Sequence, residues 1–241
     1  MSQPPSQAKR ANSRVMQQAK SGTARAALLG ASDGLVTNIS LILGVAGAGA
    51  GPQVIQVAGF ASLIAGALSM AVGEYISMRG QVELLSGILK LEREQLHSNP
   101  DEVHTALHEI LEADGVAAKT AHRASLEVAA DPEKAMAMYA RGKLGINPEE
   151  LGSVWGSAGS SLVMFSIGAF VPLLPWLLTS GPTAIWLSIG LSAIGALAIG
   201  SYLAYTAGSR MLHSALRQLL VLIIAASATY LIGRLFGTQI S

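Results

Sequence analysis

The chain has 241 residues, of which 51% are apolar and only 13% charged, against roughly 25% charged in a soluble domain; its 26 glycines favour close helix packing. With no cysteine it has no disulfide framework, no thiolate metal site and no thiol nucleophile. The net charge of +1 says nothing about nucleic acid, and none is expected as a partner; the placement of charge is informative, because most of it lies in residues 9–25 and 79–150.

The chain opens on MSQPPSQAKRANSRVMQQAKSG, which is polar and basic. It lacks an apolar h-region, so residues 1–25 read as a cytoplasmic tail rather than a cleaved signal peptide. Five apolar segments follow: Ala26–Ala48, Val54–Met78, Ser157–Leu178, Thr183–Ala207 and Leu219–Phe236. Each is long enough to cross a bilayer, which takes about 20 residues. Lys9, Arg10, Arg14, Lys20 and Arg25 precede the first segment, and Arg210 and Arg217 lie between the fourth and fifth. The links GAGAGPQ and TSGPT carry no charge. Positive residues mark the cytoplasmic side, so the N-terminus is expected inside and the C-terminus outside.

The expected fold is therefore an all-α integral membrane protein. It has five transmembrane helices and a small cytoplasmic helical domain between the second and third. Residues 26–79 hold the first two spans, 80–153 the insert and 154–241 the last three. In the insert, LLSGILKLEREQLH continues the second span. NPDEVH then opens a helix, with Asn99 or Asp101 as cap and Pro100 in the first turn, that stops at Gly115. Two further helical stretches complete a unit of three or four helices. In the third span, Pro172 and Pro175 are expected to kink or end the helix. In the fourth, Gly190, Gly195 and Gly200 favour close packing.

Chemistry enters at Ala65–Gln81, AGALSMAVGEYISMRGQ. Met70, Glu74 and Met78 recur every fourth residue and share one helix face. An ionisable group within a span is costly and by default functional. Asp33, in the first span, falls at a similar depth to Glu74, roughly 10 Å from the cytoplasmic boundary. Ser32, Thr37 and Asn38 flank it, and Gly30 and Gly34 would leave the backbone accessible. Asp33, Glu74 and Met70 would make a mixed oxygen–sulfur site for iron(II) or manganese(II). Carboxylates that shed protons to bind metal also couple metal to protons. The competing reading is a pair of buried carboxylates satisfied by hydroxyls or by Arg25 and Arg79, with Met70 and Met78 as core filler. Ser160, Ser161, Tyr202 and Tyr205 read as interhelical or interface residues.

The segments GASDGLVTNISLILGVAGA, GFASLIAGALSMAVGEYISMRGQ and SSLVMFSIGAFVPLLP resemble those of the vacuolar iron transporter family, in order and over nearly the whole chain from residue 25. The resemblance implies a homodimeric exporter that moves iron(II), and often manganese(II), out of the cytosol in exchange for protons. Asp33 and Met70 match the family's first-span aspartate and second-span methionine. Where some members have a second-span glutamate this chain has Ser62, and Glu74 stands four residues after Met70 instead. The family's insert is glutamate-rich and collects metal. Glu92 matches one of its glutamates, but Gln95 and Lys143 replace two others. Four of the chain's five histidines lie here: His97, His104, His108 and His122. His104, His108 and Glu112 share a helix face, with Glu109 adjacent, so a histidine–glutamate metal set is expected. HTALH lacks the glutamate of a zinc-protease helix, since Thr105 fills that position.

The reading is thus a metal exporter, not an enzyme. Fe2+ or Mn2+ is its cargo, protons the counter-ion, the bilayer its surroundings, and no organic cofactor is involved. A bacterial inner membrane is the expected location. The rival is a membrane-anchored metal-storage or regulatory protein without transport.

Overall fold

The computed structural model describes residues 22–149 and 151–240. The basic tail with Lys9, Arg10, Arg14 and Lys20 lies outside the described residues. Among the described residues there are eight α-helices and no strand: α1 (Gly22–Gly47), α2 (Pro52–Ser98), α3 (Pro100–Ala113), α4 (Ala118–Ala129), α5 (Pro132–Gly142), α6 (Val154–Leu178), α7 (Gly181–Ala207) and α8 (Met211–Ile240). Five of them, α1, α2, α6, α7 and α8, are long and apolar enough to cross a membrane. The chain divides into two compact units, one formed by the described residues up to Ile76 and from Ser153 onward, the other by Ser77–Gly152.

In the first unit α1 packs against α6, α7 and α8. Leu35, Ile39 and Leu43 of α1 meet Ala196 of α7 and Leu222 and Ala226 of α8 in one buried cluster. Ile42, Ile55, Leu173, Trp176 and Ala184 form another. The α1–α6 crossing is set by glycine. A Cβ on Gly34 would overlap the Phe165 carbonyl, and one on Gly168 the Ala31 carbonyl. Gly30 is equally shut in, 2.7 Å from the Ser161 carbonyl where its Cβ would stand. Gly30 and Gly34 therefore seat α6 and do not offer backbone to an ion, contrary to the sequence expectation. Gly168→Val should destabilise the bundle by about 1–3 kcal/mol through overpacking. Thermal melting in detergent would show it, with Gly190→Ala as the control, since nothing lies within 4 Å of that position.

Pro172 and Pro175 do not end α6, which runs on to Leu178. Side-chain donors meet carbonyls along the proline stretch: Asn38 to Ala169 at 2.5 Å, Ser188 to Pro172 at 2.7 Å and Gln56 to Trp176 at 2.5 Å. The carbonyls that the two prolines leave without a helical N–H are those of Gly168 and Val171, so these bonds tie α6 to its neighbours rather than replace the lost ones. The last helix also differs from expectation. Gly208, at φ +62°, caps α7, and α8 already begins at Met211. Most of the basic link thus belongs to a helix, Arg217 included. Charge lowered the hydropathy there without breaking the helix.

In the second unit Val103, Leu107 and Ala135 form a small core with Leu96, Val128, Ala129, Met138 and Tyr139 around it. Asn99 caps α3 without a side-chain hydrogen bond, and Gly115, at φ +88°, follows its end. The side chain of Asp101 lies outside the described residues. Asp131 caps α5 by accepting from the backbone N–H groups of Glu133 and Lys134.

Candidate metal site

The Met70–Glu74 stripe turns inward. Met70 is half-buried against Ala67, Phe165 and Ala169. Glu74 is 9% exposed, and among the described residues its Oε1 has no hydrogen-bond partner. The Arg25 guanidinium stands 3.8 Å from Oε1, on a side chain that is itself 67% exposed. A loose pair of this kind compensates a buried carboxylate incompletely. Elsewhere in the same unit hydroxyls join α1 to α6. Ser160 donates to the Thr23 carbonyl at 3.0 Å, the Thr23 and Ser157 hydroxyls lie 3.4 Å apart, and Ser161 is buried without a partner. Met78 is buried within the second unit, with Gly152 beside its methyl end.

Asp33 has different surroundings. Gly30 and Gly34 face α6, which leaves Asp33 on the outside of α1, exposed, with Thr37 donating to its carboxylate at 3.1 Å. Glu74 is paired with Arg25, and Arg25 and Asp33 are eight residues apart, about 12 Å along the helix. A single chain therefore presents one carboxylate inward and one outward. Tyr202 and Tyr205 are also exposed.

The second unit divides the expected histidine–glutamate set into two groups. Glu92, Glu102, Glu109, Tyr139 and Lys143 line a cleft of about 380 Å³. Lys143 lies 3.2 Å from Glu109, so an ammonium already occupies part of the carboxylate field. Burial, and then the hydrogen bond it donates to Glu92, holds the Tyr139 phenol above its ordinary range. Glu92→Gln should lower the Tyr139 titration in part and leave the larger share due to burial, read as phenolate absorbance with Tyr139→Phe as the blank.

The other group is imidazole. His104 and His108 of α3 lie parallel with ring centres 6.4 Å apart, and His122 of α4 stands edge-on to both, at 4.9 and 5.9 Å. Glu112 lies 3.7 Å from His108 Nε2. His122 is the partner that periodicity along one helix does not reveal. The side chain of His97 lies outside the described residues. Among the described residues, no three His, Asp or Glu side chains yet stand in an arrangement that would hold a metal ion.

The VIT family model matches residues 24–234. Vacuolar iron transporter homolog 2 of Oryza sativa subsp. japonica is 31% identical over 220 residues, 89% of this chain and 90% of that protein. Vacuolar iron transporter 1 of the same plant is 26% identical over 207 residues, 86% of this chain and 82% of its own. Vacuolar iron transporter 1 of Arabidopsis thaliana is 25% identical over 208 residues, covering 86% and 83%.

Proposed function

We propose that this chain, which belongs to the VIT family, exports divalent iron, manganese or both from the cytosol in exchange for protons. VIT proteins are transporters rather than known enzymes, and five candidate spans fit a membrane protein. The observation that carries the reading is Glu74: a buried carboxylate with an unpartnered oxygen, in a span, beside an arginine free to withdraw to solvent. A buried anion left short of partners favours any cation that reaches it. Metal arriving from the cytosol would displace protons there, and protons entering from outside would displace the metal. Met70 supplies a soft donor one turn away, and Asp33 the second carboxylate.

Asp33 argues for two copies. An aspartate facing hydrocarbon costs about 2.5–3.5 kcal/mol on insertion scales. A two-fold axis beside α1 would cover it and bring two Asp33 carboxylates into one site. Homodimerisation thus completes the ligand set, and metal bridges charges that would otherwise repel. The residues between spans two and three would gather metal on the cytoplasmic side through groups drawn from Glu92, His104, His108, Glu109 and Glu112. By charge placement the N-terminus lies inside and the C-terminus outside, in a bacterial inner membrane.

The test is flux. Purified protein in proteoliposomes, with an imposed proton gradient and each metal in turn, should take up metal with counterflow of protons. Metal binding without flux would leave the storage reading in place and remove this one.

A further inference from the structure

Two imidazole nitrogens in the second unit lack an explanation. His104 Nε2 and His108 Nδ1 are both shielded from solvent, and among the described residues neither has a hydrogen-bond partner. A polar atom shielded from solvent without a partner is unfavourable. Both belong to the three-ring cluster of His104, His108 and His122, whose centres lie 4.9 to 6.4 Å apart.

Those separations are close to what one ion requires. With metal–nitrogen bonds of about 2.0–2.1 Å, two rings on a tetrahedral ion have centres about 5 Å apart. The closest pair already meets this, and the widest exceeds it by little more than an ångström. Rotation of the side chains about their own bonds, with α3 and α4 in place, covers that difference. His122 is exposed to solvent. Glu112 faces Nε2 of His108, which leaves Nδ1 as the lone pair directed inward. A carboxylate on the far nitrogen is the usual means of orienting a metal-bound histidine.

We propose that His104, His108 and His122 form a three-imidazole site for a borderline divalent transition metal of the zinc, cobalt and nickel class. It is separate from the carboxylate cleft, where Lys143 already sits against Glu109. Imidazole selects this class over magnesium, calcium and manganese, which favour oxygen. The inference deepens the capture role given above to these residues, but it does not depend on transport.

The test uses the full chain in detergent, carrying Asp33→Asn and Glu74→Gln so that the spans contribute no carboxylate. Co2+ is titrated and followed by calorimetry and by its visible ligand-field absorption, which reports nitrogen ligands and tetrahedral geometry. The expected result is saturable binding that excess Mg2+ does not displace. His104→Asn, His108→Asn and His122→Asn should each weaken it by roughly 10- to 100-fold or more. Glu127→Gln, on the exposed side of α4, should not. Zn2+ should raise the melting temperature of the parent and not of the histidine variants, while all melt alike without metal. Co2+ binding that survives His122→Asn, or a spectrum of oxygen ligands only, would overturn the site. Absence of flux in the chain with Asp33 and Glu74 intact, alongside Co2+ binding at the histidines, would count against the transport reading and leave this one standing.

Discussion

Glu74→Gln is expected to abolish proton-coupled metal uptake while leaving the chain folded. Glutamine matches glutamate in shape, so the packing of α2 is kept. The group left behind is Arg25, and its side chain is already 67% exposed, so no charge is stranded in the interior. What disappears is the buried anion and the proton it carries. Uptake at low metal concentration should fall by about 10- to 100-fold or more. Proton counterflow, read with an entrapped pH-sensitive dye, should fall with it. Arg25→Gln separates this from a merely structural ion pair. Were Glu74 only the partner of Arg25, removing either end would have the same effect. The expected outcome is asymmetric: Arg25→Gln keeps uptake and tightens apparent metal affinity, because a competing cation is gone. Equal loss in both variants, with lowered melting temperatures, would assign Glu74 to structure alone.

The spans were legible because the bilayer fixes the length of an apolar run, and five such runs are written in the chain. Their boundaries were less so. Hydropathy placed the start of the last span at Leu219, whereas α8 begins at Met211, because Arg217 is compatible with a helix even though it lowers apolarity. Pro172 and Pro175 point to a kink or an end of the helix, and α6 runs on past both to Leu178; the bonds that tie this stretch to Asn38, Ser188 and Gln56 come from other helices, which no local pattern shows. The inward face of Met70 and Glu74 followed from periodicity. The outward face of Asp33 did not, since Gly30 and Gly34 beside it read as access when they are packing surface. In the second unit, Glu109 sits one residue from His108, about 100° around the helix. That step sends it to Lys143 and the carboxylate cleft, while His108 turns to His122 on another helix. Periodicity within α3 finds His104 and His108 but has no access to α4.

Asp33→Asn should be as severe for uptake as the change at Glu74, for a different reason. Glu74 is enclosed by its own chain, whereas Asp33 is exposed on α1, with Thr37 at 3.1 Å as its hydrogen-bond donor. A charged group left there in hydrocarbon would be costly, so its presence makes sense if another copy supplies the missing surroundings. Two Asp33 carboxylates brought together by a two-fold axis repel until a cation lies between them. Asparagine removes that repulsion along with the ligand. If two copies meet at this face, the variant should still pair, or pair more tightly without metal, as measured by light scattering in detergent, while metal uptake is lost. A site contained in one chain makes the opposite forecast, with Asp33→Asn transporting like the parent. A storage protein anchored by its spans forecasts unchanged metal content and no flux in either form. Thr37→Val refines the test. It removes the donor and leaves the charge, so it should weaken uptake far less than Asp33→Asn if the carboxylate is a ligand. It should weaken uptake equally if Asp33 serves only as Thr37's hydrogen-bond acceptor.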